Sequence, residues 1–262
     1  MPKSAAKDDM RTAHRIQAAI LPSKTPRLPG VTVEVQYWPM TAVAGVFYDF
    51  ISFKETGGLG VLVSDATGHG VPAALIASMV KVAFSSPIEY AEAPERLLSE
   101  MNEALHENIR GQFVTAAFVG VDPAAGRVRA SGAGHPFPLL RHKDGMVVEL
   151  ARPGFPLGLY AGADYERIEA PLSAGHRLLI CTDGLVELSD LEGEEFGEAR
   201  LKEFLGTRVD LPAGRFADVL LERLRAWSGR PPSQGFDDDL TLVVADITGD
   251  SGEEGGQLDV PL

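Results

Sequence analysis

Residues 63–75 read VSDATGHGVPAAL, and two different patterns meet in them. The apolar run Gly58–Val63 closes on Ser64 and a carboxylate, Asp65. Gly68, His69 and Gly70 follow, and then VPAALIASMVKVAF (71–84) is apolar almost all round. That stretch predicts a helix buried on most sides, with Pro72 accommodated in its first turn. A buried strand gains nothing from ending in a carboxylate unless the charge is capped, paired or bound to a cation.

Working outward, VTVEVQYW (31–38) alternates as a half-buried strand, and GVFYDFISF (45–53) pairs with GLGVLVSD (58–65) as a hairpin around Thr56-Gly57-Gly58. MRTAHRIQAAIL (10–21) places Ala13, Ile16, Ile20 and Leu21 at helical spacing before Pro22 stops the helix. PERLLSEMNEALHENI (94–109) reads as an amphipathic helix with Leu97, Leu98, Met101 and Leu105 on one face. Strand-like stretches follow at 113–122, 127–133, 136–142, 146–151, 176–183 and 240–247. Residues 199–228 are helical in pattern, broken near Pro212, with Phe216, Leu220 and Leu224 inward. Strands in hairpin succession with helices in two blocks favour an α+β fold with mostly antiparallel sheets over a Rossmann arrangement. The organisation expected is a polar segment and helix over 1–25, one domain over 26–248, and an acidic, Gly-rich, disordered tail over 249–262.

With 262 residues, 45% of them hydrophobic, the chain can bury a sizeable core. Its formal net charge of -13 repels nucleic acid and anionic membranes, so neither is an expected partner. The single cysteine, Cys181, excludes an internal disulfide and a cysteine-cluster metal site. No signal peptide or membrane span is evident, and a cytoplasmic protein is expected.

Carboxylates stand at the edges of three apolar runs: Asp65 after GVLVS, Asp183 after RLLICT, and Asp237, Asp238 and Asp239 before LTLVV. Each alone fits turn chemistry equally well. Together, without cysteines, they suit hard divalent cations such as Mg2+ or Mn2+.

The stretches AGVFYDFI, VSDATGHGVPAAL, FVTAAFVGVD, GAGHPFPLL, GFPLGL, LLICTDGLVE and DDDLTLVV occur in the order and spacing of a known family. The chain resembles the SpoIIE/RsbU-like bacterial branch of the metal-dependent type 2C serine/threonine phosphatases over roughly residues 12–247. The resemblance implies an αββα sandwich of two mostly antiparallel sheets flanked by helices, with two Mn2+ or Mg2+ ions at one edge. Asp65 would bridge the ions, the Ala66 carbonyl would bind one, and Asp183 and Asp238 would complete the other site. Metal-bound hydroxide would attack a phosphoserine or phosphothreonine. The implied substrate is a phosphoprotein such as an anti-sigma-factor antagonist in a partner-switching or stress-signalling pathway. Residues 10–21 correspond to a segment that links such phosphatases to an upstream sensor and takes part in switch or homodimer contacts. Here either a sensor has been removed or the regulator is a separate protein.

Gly68 and Gly70 let the chain turn tightly beyond Asp65, and Gly184 and Asp239 flank the other carboxylates. His69 lies four residues after Asp65, two further on than the histidine of eukaryotic relatives, so a structural hydrogen bond is expected of it rather than acid catalysis. His135 is expected in a turn or in packing. Val46 departs from the pattern, which has an aspartate ligand at its position. Asp49 is the nearest carboxylate, but its odd spacing from Val46 directs it to the other face of a strand. A phosphatase with a weaker second cation site and a non-catalytic phosphoprotein-binding module both follow from that change. A hydrolase of small phosphoesters is disfavoured by the lack of a nucleotide-binding loop.

Overall fold

A computed structural model describes residues 2–249 except 54, 55, 110, 151, 153 and 232–234, and side chains from residue 8 onward. The tail expected over 249–262 therefore lies, after Gly249, outside the described residues. Helix α1 (Pro2–Ile20) precedes β1 (Val31–Trp38), β2 (Val46–Ser52) and β3 (Leu59–Ala66). Then come α2 (Gly70–Ser85), α3 (Pro94–His106), β4 (Val114–Asp122), β5 (Arg127–Ala133), β6 (Leu139–Arg141) and β7 (Val147–Glu149). β8 (Ile168–Pro171), β9 (Arg177–Cys181), α4 (Asp183–Val186), α5 (Gly197–Thr207), α6 (Ala213–Ser228) and β10 (Leu240–Ile247) complete the order.

Two five-stranded sheets result, ordered β1-β10-β9-β6-β7 and β2-β3-β4-β5-β8, and their strand pairs are antiparallel. Strand periodicity apportions the apolar side chains among three interfaces. From β3, Val61 and Val63 face the other sheet, as do Ile180 of β9 and Val243 and Ala245 of β10. Leu62 of β3 turns outward to join Phe47, Ile76, Val80, Leu97 and Met101 beneath α2 and α3. Leu179, Leu242 and Val244 turn outward on the opposite side and meet Phe204, Phe216, Leu220 and Leu224 of α5 and α6. The layers are thus helix, sheet, sheet, helix, the αββα sandwich expected.

Several expectations need correction. α2 is not buried all round: Val71, Leu75 and Val82 are exposed, so its apolar sequence exceeds the face that sheet packing uses. α1 begins earlier than residue 10 and ends at Ile20; Ile20 packs against the core as expected, but the helix's buried side chain is Gln17, and Ile16 is 61% exposed. The strands within 136–142 and 146–151 shrink to three residues each, because Pro136 and Pro138 cannot extend the ladder. The 176–183 run stops at Cys181 and Asp183 opens a helix, and β8 had no clear signal in its mixed sequence Ile168-Glu-Ala-Pro171.

Gly60 in the middle of β3 illustrates how tightly the outer interface is filled. A Cβ there would lie 2.4 Å from the Phe118 ring and 2.7 Å from Ile51 Cγ2. Gly60→Ala should therefore cost about 1–3 kcal/mol through overpacking, read as a lower urea midpoint at unchanged slope.

Candidate active site

The strand-end carboxylates expected from the sequence converge from both sheets at one end of the intersheet core. Asp65 ends β3 on the face shared with Val61 and Val63. Asp183 begins α4 directly after β9, and Asp238 and Asp239 precede β10, the neighbour of β9. Asp65 and Asp183 lie close enough for each carboxylate to raise or lower the other's affinity for a proton. Burial, followed by the charges of Asp183, Asp238 and Asp239, pushes the Asp65 carboxyl up to about 8. Burial, then the charge of Asp238, raises Asp183 as well. Burial and neighbouring carboxylates dominate both shifts, and among the described residues neither carboxylate forms an ion pair with a basic side chain.

Asp239 has a separate task. Its two oxygens accept the backbone N–H groups of Met40 at 2.7 Å and Gly45 at 2.9 Å, and it also accepts the N–H of Val46. These bonds pin the loop between β1 and β2 against the start of β10. They pull the Asp239 carboxyl down, yet burial wins and leaves it raised. Gly184 fits where a side chain cannot, since a Cβ would meet the Asp239 carbonyl at 2.6 Å and Asp238 Cβ at 3.2 Å. Thr182 ties the two strand ends together: its hydroxyl donates to the Asp239 carbonyl and accepts from the Thr241 N–H.

Gly45 was not singled out in the sequence. A Cβ at this position would stand 2.9 Å from the Ala66 carbonyl oxygen and 3.1 Å from Asp65 Oδ1, so only glycine lets the loop lie against both. Behind it, Gln17 of α1 clasps Ala44: its Nε2 donates to the Ala44 carbonyl at 2.5 Å and its Oε1 accepts the Ala44 N–H at 2.9 Å. His14 Nδ1 lies 2.6 Å from the Ala42 carbonyl. Tyr37 was also missed. It lies beneath the cluster, its ring 5.8 Å from that of Tyr48 and tilted 52° to it, and burial followed by the Asp239 charge raises its phenol. A polar residue alternating along an ordinary strand carried no such signal.

Val46 is the direct cross-strand partner of Asp65. Opposed residues in an antiparallel pair project to the same face with Cβ atoms about 5 Å apart. Asp49 is turned the other way, buried and paired with Lys81 of α2 at 2.6 Å, so the structure does not bring it to the cluster. Gly68, with φ of 87°, and Gly70, with φ of 71°, make the turn from β3 into α2. His69 is exposed and caps α2 without a side-chain cap bond, which corrects the hydrogen bond expected of it. His135 is buried; its Nδ1 lies 3.0 Å from the Thr115 hydroxyl, and burial lowers its pKa to about 3, so it is neutral. Thr115 is in turn the β4 partner of Asp65.

The donor set is all oxygen, uncompensated and at a half-exposed edge, and that chemistry fits hard cations. The carboxylates are not preassembled into a cage: among the described residues no group of three or more His, Cys, Asp or Glu side chains is arranged to hold a metal ion.

The architecture is that of type 2C phosphatase domains. Over 94% of this chain and 98% of the other, it superposes on the SiaA-PP2C domain of Pseudomonas aeruginosa with a TM-score of 0.80 and 26% identity. Residues 55–248 match the model of Stage II sporulation protein E (SpoIIE), and the chain belongs to that family. Among curated proteins it is 26% identical over 183 residues to the phosphoserine phosphatase RsbU of Bacillus subtilis, covering 69% of this chain and 54% of RsbU. A second phosphoserine phosphatase of that organism, RsbP, is 24% identical, with 83% of this chain and 52% of RsbP covered. The chain thus spans about half the length of the curated relatives it matches.

Two outcomes test this description of the site. Because the Asp65 pKa is raised from 3.8 to about 8, the folded chain binds a proton that the unfolded chain releases. The associated stability is fully present below about pH 4 and is lost as pH climbs toward 8. In EDTA, Asp65→Asn should flatten this decline in urea midpoint and be the more stable protein at pH 8. Gln17→Ala should strand the buried N–H and carbonyl of Ala44, cost about 1–3 kcal/mol, and speed amide exchange at Ala44 above the change at Val80.

Proposed function

We propose that residues 26–248 form a metal-dependent protein serine/threonine phosphatase domain, and that its substrate is a phosphorylated regulator of the anti-sigma-factor-antagonist type in a partner-switching pathway. The observation that carries this reading is the meeting of Asp65, Asp183 and Asp238 from two sheets without a basic side chain among them. Asp65, the Ala66 carbonyl, Asp183 and Asp238 would hold two divalent cations, Mn2+ or Mg2+. Such ions supply Lewis acidity that activates water and offsets phosphoryl charge.

The chain's own residues provide position. The β3–β4 and β9–β10 pairings fix the two halves of the carboxylate cluster, while Asp239 and Gly184 lock the loops between them. Gln17 and His14 hold the loop that abuts Asp65, which supports a regulatory contact through residues 10–21. Among the described residues no helix is long and apolar enough to cross a membrane.

Val46 favours a second reading, a phosphoprotein-binding module with little or no turnover. An apolar side chain stands directly opposite Asp65, where a carboxylate would reach the same ion. Hydrolysis of a phosphoserine protein with Mn2+ titrated in separates the two. We expect Mn2+-dependent turnover by the chain as it stands and a loss of at least about a hundredfold in Asp65→Asn, the scale of removing a principal electrostatic contact. Val46→Asp should reach half-maximal rate at lower Mn2+. Tight binding of the phosphoprotein with turnover only in Val46→Asp would establish the binding module instead.

A further inference from the structure

The carboxylate edge has a lip of different chemistry on the side of β1 and α6. Tyr37 points between the sheets, and Trp38, next along β1, projects the other way with its cross-strand partner Leu240, toward α6. From α6, Arg225 sets its guanidinium 4.9 Å from the centre of the Trp38 ring and 6.0 Å from that of Phe236. The two rings meet edge to face at 6.4 Å.

Trp38 is 39% exposed and Met40, two residues on, is 36% exposed; Arg225 is exposed as well. Apolar residues exposed singly are ordinary on a protein surface. Here an indole, a phenyl ring and a guanidinium are held in mutual contact, and Trp and Arg are among the residue types that dominate binding energy at interfaces. The cluster is continuous with the candidate site, because at the strand ends the two faces of the sheet meet. Phe236 precedes Asp238 by two residues, and the Met40 N–H is one of those that Asp239 accepts, at 2.7 Å.

Charge sets Arg225 apart. Arg230, five residues on, pairs with Asp237, and Glu222, one turn back on α6, pairs with Arg215. Among the described residues Arg225 is in no ion pair, and its guanidinium contacts are the two aromatic rings. A guanidinium laid on an aromatic face keeps N–H donors for a carboxylate, and the ring restrains it beforehand. In a chain of formal net charge -13, beside an edge of unpaired acids, it offers an acidic partner local attraction.

We propose that Trp38, Met40, Phe236 and Arg225 form the docking lip for the segment of a phosphoprotein substrate that flanks its phosphoserine. The rings and Met40 receive an apolar side chain, and Arg225 pairs with an acidic one. Cross-strand spacing of about 5 Å, plus 4.9 Å from indole to guanidinium, sets the charge on the order of 10 Å from the chain at Leu240, next to Asp239. At about 3.3 Å per residue, that places the acidic side chain roughly three residues from the phosphoserine in an extended substrate. This proposal rests on the phosphatase reading for the identity of the bound segment.

The test is a titration of the full chain, carrying Trp227→Phe so that Trp38 is the remaining tryptophan, with peptides bearing a phosphonate isostere of phosphoserine and excess Mg2+. The peptides carry Asp or Lys three residues to either side of the isostere, and binding is read both from Trp38 emission and from the anisotropy of a label on the peptide. An Asp peptide should bind at least fivefold more tightly than its Lys counterpart and shift Trp38 emission. Arg225→Glu should reverse that preference and Arg225→Lys should keep only part of it. Arg223→Glu, the same charge change on a neighbouring position that does not share the Arg225 face, should leave the preference intact. The proposal is overturned if the parent binds the Lys peptides as tightly, if Arg225→Glu retains the preference, or if the peptides bind without moving Trp38 emission. It is also overturned if the lip holds a second copy, seen as a sedimenting dimer that Trp38→Ala dissociates. Hydrolysis of the matching phosphoserine peptides with Mn2+ is the separate arm. Selective binding without hydrolysis would sink the phosphatase reading and leave the lip standing, whereas hydrolysis without selectivity would do the reverse.

Discussion

Mutual repulsion among carboxylates at one end of the sandwich is the constraint to which the rest of the site answers. Asp65 comes from one sheet and Asp183 and Asp238 from the other, so the apolar interface between the sheets is what forces them together. Val61, Val63, Ile180 and Val243 pack only if β3, β9 and β10 keep their registers, and those registers deliver the acids to a common edge. The cost of gathering them is met without internal counter-ions. Burial and mutual repulsion raise Asp65 and Asp183, while Asp239 offsets part of the same penalty by accepting backbone N–H groups. An edge that costs the metal-free fold stability, and that an uncharged residue would relieve, has the electrostatic character of a place built for cations.

The same edge organises the backbone around it. Gly45 and Gly184 are absent of side chains because a Cβ would strike the Ala66 and Asp239 carbonyls respectively. Asp239 then fixes Gly45 from one side while Gln17 fixes Ala44 from the other. The loop over Asp65 is consequently held by two elements distant in sequence, α1 and the start of β10. A displacement of α1 has a direct mechanical path to Asp65: two hydrogen bonds at Ala44, one peptide, and the close contact of Gly45.

Much of this was legible beforehand for a physical reason. Strands buried on both faces announce themselves as apolar runs, and the acids that terminate them stand out by contrast, as Asp65 and Asp183 do. Alternation also placed Asp49 on the face away from Val46, where it meets Lys81. What escaped the sequence were tasks set by tertiary neighbours. Gln17 looks like a solvent-facing helix residue until its amide finds Ala44, and Tyr37 looks like an ordinary strand residue until Tyr48 packs on it. The exposed Leu75 and Val82 failed the opposite way: apolar composition predicted burial, but a helix on a sheet covers only one face.

Charge is segregated along the strands as well as balanced across them. β9 runs from Arg177 to Cys181 with Asp183 just beyond, and β10 runs from Leu240, after Asp239, to Ile247. At one end the acids lack basic partners; at the other the Nε of Arg141 and the Nδ1 of His176 are buried without hydrogen-bond partners. In a chain whose formal net charge is -13, an acidic edge follows from composition, whereas a buried guanidinium without a carboxylate does not. Abundant Asp and Glu make an ion pair for Arg141 easy to supply, as Asp246 does for Arg177. Arg141 therefore bears a desolvation cost that the ion pair with Asp246 offsets for Arg177.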